Sequence, residues 1–174
     1  MDEISKVVTD NEKVLYQGKP NFKAYLVSSI VGLVFAVCIL SFFVFNFTNV
    51  LFLTIIVGGV VLIGGIFLTK LSYQRTLYVI TDKRVIIQSG IIGRDFKSID
   101  YDRIQNVSVK VGIVGIIFKV GTINIFTGEM ETVSTGQNTS SMQSKYDRFI
   151  YINDAYDVLK KIQTELSKRK ENLV

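Results

Sequence analysis

The chain contains no histidine and no tryptophan, and only one cysteine (Cys38) and one proline (Pro20) in 174 residues. Without histidine it lacks the commonest general base and metal ligand, which excludes serine–histidine, cysteine–histidine and most zinc-hydrolase designs. A single cysteine closes no intrachain disulfide and builds no thiolate metal cage. A further absence is positional: the 46 consecutive residues from Ala24 to Thr69 include no Asp, Glu, Lys or Arg. All 35 charged residues therefore fall in the other 128, a density of about 27%, near the ~25% of soluble domains. These counts describe a membrane segment joined to a water-soluble domain. No catalytic residue, metal or cofactor is expected.

As one helix, 46 residues would run roughly 69 Å, over twice the ~30 Å hydrocarbon core of a bilayer. A hairpin of two spans, near 24–45 and 50–69, fits instead, with Asn46-Phe47-Thr48-Asn49 as its turn. Each span holds 14 Leu, Ile, Val or Phe residues, worth roughly −4 to −8 kcal/mol of insertion free energy. A cleaved signal peptide is not expected, because 23 largely polar residues come first and no small-x-small site separates the spans. Asn46-Phe47-Thr48 has the form of a glycosylation sequon but reads as a turn. Lys13, Lys19 and Lys23 precede the hairpin; Lys70, Arg75, Lys83 and Arg84 follow it; the turn has no charge. By the positive-inside rule both termini are expected in the cytoplasm, the hairpin in the cell membrane and residues 1–23 as a cytoplasmic N-terminal segment. Ser28, Gly32 and Ala36 form a small-residue stripe on the first helix, and Thr54, Gly58 and Gly65 one on the second. Such stripes allow close helix packing, inside the hairpin or between copies, although Gly is common in transmembrane helices in any case.

From residue 70 the pattern becomes that of short strands. Leu71–Ile80 and Val85–Ser89 flank a turn at Thr81-Asp82-Lys83-Arg84, and further strands are expected at Phe96–Tyr101, at Val107–Val111, over Val120–Thr127 and at Phe149–Ile152. Val107, Val109 and Val111 alternate with Ser108 and Lys110, as in a half-buried strand. Ala155, Leu159, Ile162 and Leu166 then recur at helical spacing, with Asn153 or Asp154 able to cap the start. This amphipathic C-terminal helix is expected to pack on the sheet. Gly128–Asp147, twenty mostly polar residues, reads as a long loop of either binding or merely connecting character.

Taken in order, Thr81-Asp82-Lys83-Arg84-Val85-Ile86, Ser89-Gly90, Ile99-Asp100-Tyr101-Asp102-Arg103-Ile104-Gln105, Gly112-Ile113-Val114-Gly115 and Val120-Gly121-Thr122-Ile123 resemble the bacterial PH-like domain, in particular the YdbS-type membrane proteins of prokaryotes. Glu12-Lys13-Val14-Leu15-Tyr16-Gln17-Gly18-Lys19-Pro20 resembles the segment those proteins carry before their first helix. The resemblance implies an α+β fold for residues 70–174: a bent, near-closed antiparallel sheet of about seven strands capped by the C-terminal helix. It implies no activity and supplies no catalytic residues. Ile116 and Lys119 depart from the pattern, standing where an Arg and a Gly are expected around Phe118.

Other chemistries find little support. Gly90-x-x-Gly93 and Gly112-x-x-Gly115 lack the Lys-Ser/Thr ending of a Walker loop and read as turn glycines with positive φ. Asp100 and Asp102 share one face of a strand but lack a cleft. The basic residues are too scattered for a nucleic-acid surface, and no small-molecule substrate is indicated. The net charge of +5 resides wholly in residues 70–127, with nine basic and four acidic side chains. Lys70, Arg75, Lys83 and Arg84 are therefore the candidate contacts to anionic lipid. The expected role is a membrane-anchored, non-catalytic binding or scaffolding module with a protein partner or a second copy of itself. The alternatives are an anionic-lipid-binding module and an accessory subunit of a membrane transport or export assembly.

Overall fold

The computed structural model describes residues 7–9, 11–48, 51–91, 93, 95–136 and 139–171. Strand β1 (Val14–Gly18) comes first, followed by two long helices, α1 (Phe22–Thr48) and α2 (Leu51–Arg75). Then come β2 (Leu77–Thr81), β3 (Arg84–Ser89), β4 (Asp95–Asp100), β5 (Asn106–Lys110), the short helix α3 (Ile113–Phe118), β6 (Val120–Gly136), β7 (Thr139–Asn153) and the C-terminal helix α4 (Ala155–Glu171).

Both long helices extend further than the charge pattern indicates. Helix α1 runs through Asn46, Phe47 and Thr48, leaving little of the expected turn; Asn49 lies outside the described residues. Helix α2 continues past Lys70 to Arg75, replacing the strand expected from Leu71. Charge marks where a bilayer could end, but nothing in Leu71-Ser72-Tyr73-Gln74 breaks a helix. The start of α1 is capped by Asn21, whose Oδ1 accepts from the Ala24 amide at 3.2 Å, satisfying one of the amides a helix start leaves open.

Among the described residues, seven strands form two antiparallel sheets, ordered β1-β2-β3-β4 and β5-β6-β7, which are not joined into a closed barrel. Their facing sides supply one core, with Tyr78, Ile80, Val85, Ile99, Ile123, Ile125, Phe149 and Ile152 almost wholly buried. Stacking of Tyr78 on Phe149, with ring centroids 4.5 Å apart, ties β2 to β7. Helix α4 closes the core with Ala155, Val158 and Ile162 buried and Leu159 and Leu166 half-buried, as its periodicity predicts.

Two larger expectations also need correction. The first concerns the domain boundary: β1, on the far side of both long helices in sequence, pairs with β2 (Gln17 with Val79, Gly18 with Tyr78) and forms one edge of the first sheet. The domain is thus not confined to residues 70–174, because the helical hairpin is inserted between its first two strands. The second concerns Gly128–Asp147, expected as a loop, where residues 128–136 and 139–147 form a two-stranded extension of β6 and β7. Met130 pairs with Ser144 and Thr132 with Met142, beyond an irregularity between Phe126 and Met130. A ribbon needs only its backbone ladder, so its exposed side chains can be polar on both faces.

The glycines also divide. Gly90 takes the left-handed conformation (φ 136°), but Gly112 (φ −89°) begins α3, and Gly115 lies within that helix. Lys119 ends α3 at φ 55°, the left-handed position that glycine fills most readily. This is the position where the resemblance expects a Gly.

Candidate functional site

The β2–β3 turn, which contains two of the candidate lipid contacts, is a locked junction. The Glu12 side chain is fully buried beneath it. Its Oε1 accepts from the Thr81 hydroxyl at 2.6 Å and from Arg84 Nε at 3.0 Å. Its Oε2 accepts from Arg84 Nη2 at 2.9 Å and from the Thr9 hydroxyl at 3.1 Å. Thr81 Oγ1 also accepts from the amides of Lys83 and Arg84, and the Thr81 carbonyl accepts from Tyr101 Oη at 2.7 Å. The Arg84 guanidinium, foremost among these partners, holds the Glu12 carboxyl down to about 2 against its ordinary 4.5, overriding the upward push of burial. Glu12 in turn raises Arg84. Arg84 is therefore committed to an internal ion pair. Glu12 escapes a sequence reading because its partners lie 69 and 72 residues away.

The four candidate cations do not converge. Lys70 is exposed on α2, and Arg75 ends that helix with its guanidinium donating to the Gly93 carbonyl at 3.3 Å. Exposed Lys83 and half-buried Arg84 stand at the opposite end of β2, about 17 Å away for a five-residue strand. The small-residue candidates separate as well. A Cβ on Gly58 would meet Val37 Cγ1 at 3.2 Å, and one on Gly65 would meet the Leu33 side chain, so both glycines face α1. Gly32 meets nothing within 4 Å, Ala36 is exposed, and the Thr54 side chain lies outside the described residues. Ser28 Oγ instead accepts from Tyr151 Oη at 2.7 Å.

That contact belongs to the joint between hairpin and sheets. Tyr151, at φ 53°, accepts from the Asn21 amide at 2.8 Å, and Asn21 Nδ2 donates to Asn153 Oδ1 at 2.9 Å. Phe22 and Tyr25 of α1 lie 4.9 and 6.0 Å, centroid to centroid, from the Tyr73 ring of α2. The Tyr25 and Ser72 hydroxyls are 2.9 Å apart. An aromatic cluster at the base of two apolar helices has the composition of a membrane–water interface.

Beside this joint is an open groove of about 650 Å³ on the outer face of β5–β6–β7, bordered by α3. Strand alternation builds it. Ser108 is opposite Asn124, Asn124 opposite Arg148, and Lys110 opposite Thr122, while Val109, Ile123, Ile125 and Phe149 point inward. Among the described residues neither Lys110 nor Arg148 is ion-paired, so the groove offers two cations amid hydroxyl and amide donors. This chemistry suits an anionic oxygen group. Among the described residues no cluster of His, Cys, Asp or Glu could hold a metal. Ser108, Lys110 and Asn124 show in the alternating sequence; Arg148, placed by the β6–β7 register, does not.

Two open-sided sheets closed by a C-terminal helix define a PH-like domain. Residues 26–165 match the family described as Bacterial PH domain, and the chain belongs to that family. No curated protein matches the sequence. Among solved structures, the chain is similar to a DUF1696-family protein with a pleckstrin-homology domain from Shewanella loihica PV-4. The identity is 18% and the TM-score 0.35, over 54% of this chain and 73% of that one.

Proposed function

We propose that this protein is a non-catalytic binding or scaffolding module, held at the cytoplasmic face of the cell membrane by its two-helix hairpin. The observation that carries this reading is the outer surface of the hairpin. Phe22–Phe43 and Ile55–Arg75 are long and apolar enough to cross a bilayer, and Phe35, Phe42, Phe52, Ile63 and Phe67 stand largely exposed along them. A soluble monomer rarely exposes so large a continuous apolar surface, and lipid is the solvent that suits it. Pairing of β1 with β2 supports having both termini on one side, and the positive flanks support the cytoplasmic side. The partner in this reading is another protein or a second copy, with the Gly32–Ala36 face of α1 open to receive it.

Full-length protein extracted in mild detergent and weighed by native mass spectrometry tests this. A mass of two or more copies, or of one copy with a defined second protein, is expected. A bare monomer at all detergent concentrations overturns the scaffolding role.

A second reading, binding of anionic lipid headgroups, is favoured by the groove rather than by the four scattered cations. Lys110→Gln/Arg148→Gln in the full-length protein is expected to lose retained phosphatidylglycerol in native mass spectra while keeping phosphatidylcholine. Equal retention of both lipids by wild type and variant overturns it.

A further inference from the structure

Helix α3 presents an unexplained face. Its six residues, Ile113-Val114-Gly115-Ile116-Ile117-Phe118, include no polar side chain. Gly115 is buried with the Val120 carbonyl oxygen 2.5 Å from where its Cβ would be, so this side of the helix is pressed on the start of β6. Val114 and Phe118 are half-buried beside it. Ile113, Ile116 and Ile117, which share the opposite face at i, i+3 and i+4, are 80, 70 and 67% exposed. Three isoleucines turned to water on so short a helix leave much of its apolar surface unburied.

The position of α3 bears on what covers them. It packs directly against α1 and borders the groove that Tyr151 also lines, and Tyr151 is bonded to Ser28. Ser28 is five residues beyond Lys23, the last charge before the apolar run, and one turn from the aromatic cluster at Tyr25. Helix α3 therefore stands beside α1 at the level where the apolar surface of α1 meets polar groups. Charge agrees: between Asp102 and Glu129 there is no acidic residue, and exposed Lys110 and Lys119 flank the helix on either side. Tyr156, 69% exposed, and Asp154 lie on the same rim. Basic residues bracketing an apolar helical face are the pattern of an interfacial element.

We infer that α3 is a third membrane contact, a short interfacial foot whose Ile113, Ile116 and Ile117 enter the headgroup–acyl boundary of the cytoplasmic leaflet next to α1. It fixes the sheets against the bilayer instead of leaving them to swing on the helix joint. The inference rests on the reading of the hairpin as membrane-spanning.

The test uses full-length protein with Cys38→Ser, reconstituted in phosphatidylcholine/phosphatidylglycerol nanodiscs. An environment-sensitive label is placed singly at Ile116→Cys, Ile117→Cys, Phe35→Cys and Asp102→Cys. Doxyl lipids with shallow labels are expected to quench positions 116 and 117 at least about threefold more than position 102, because an interfacial helix buries its apolar face by about 5–10 Å. Quenching at 116 and 117 equal to that at 102, with position 35 strongly quenched by deep-labelled doxyl lipids, overturns the foot and leaves the spanning hairpin intact. Failure of deep labels to quench position 35 overturns both. Shielding of 116 and 117 from lipid quenchers and aqueous iodide alike means that a protein covers the face, and it also overturns the inference.

Discussion

Glu12 shows how one residue can join distant parts of the chain. It is a buried carboxylate with its main partner, Arg84, 72 residues away, and its pH response has a definite sign. The folded value of about 2 lies below the ordinary 4.5, so the charged form is favoured by folding. The resulting stability is complete above about pH 4.5 and is lost as the pH falls from there towards 2, amounting to about 3 kcal/mol at ~1.4 kcal/mol per unit. In detergent-solubilised protein the gap in unfolding midpoint between wild type and Glu12→Gln should be full at pH 6 and shrink steadily below pH 4.5. Parallel profiles for the two proteins would sink this assignment. Arg84→Ala should be at least as damaging at pH 7, by about 3–5 kcal/mol, because it strands a buried charge without its main partner.

At the scale of elements, the two long helices meet where α2 has glycine and α1 has branched side chains. Gly65 receives Leu33, and Gly58 lies against Val37. In a Cys38→Ser background, Val37→Cys/Gly58→Cys should form an intrachain disulfide under mild oxidation, since a Cβ at position 58 lies within bridging reach of position 37. Gly32→Cys/Gly58→Cys should not, because position 32 faces away from α2. The opposite result would show that the hairpin packs through the other stripe. The two long helices are legible from their charge-free apolar runs, and α4 and six of the seven described strands from their apolar patterning. Four features are not, the first being α3, since Gly112 and Gly115 read as turn glycines. Strand β1 is only five residues long and is a strand by virtue of β2. The end of α2 lies beyond the charge boundary because Lys70 changes the polarity of the chain without interrupting its hydrogen bonding. The β6–β7 ribbon reads as a loop because its side chains face water while its backbone groups pair across the two strands. The groove was half legible for the same reason: alternation exposes Ser108, Lys110 and Asn124 on one face, but only the register across β6 adds Arg148.

For the whole molecule, the insertion of the hairpin between β1 and β2 makes the sheet depend on a segment that precedes both long helices. A helical hairpin returns the chain to within one helix diameter of where it left, roughly 8–10 Å, and strands pair at about 4.8 Å. The chain can therefore leave the sheet at Gly18, pass through both helices and rejoin it at Leu77 with little distortion. It follows that residues 71–174 are not a self-sufficient domain. That fragment lacks β1, exposes β2 as a bare edge strand open to aberrant pairing, and leaves Arg84 and Thr81 without Glu12. It should melt well below the full-length protein or aggregate. Joining residues 7–20 to residue 76 through about six Gly/Ser residues, whose r.m.s. reach of roughly 13 Å suits the gap, should restore a cooperative transition and dispersed amide signals without either long helix. Equal thermal midpoints for residues 71–174 and the joined chain would mean that β1 is an ornament of the sheet. A higher midpoint in the joined chain means that the segment before the two long helices completes the domain after them.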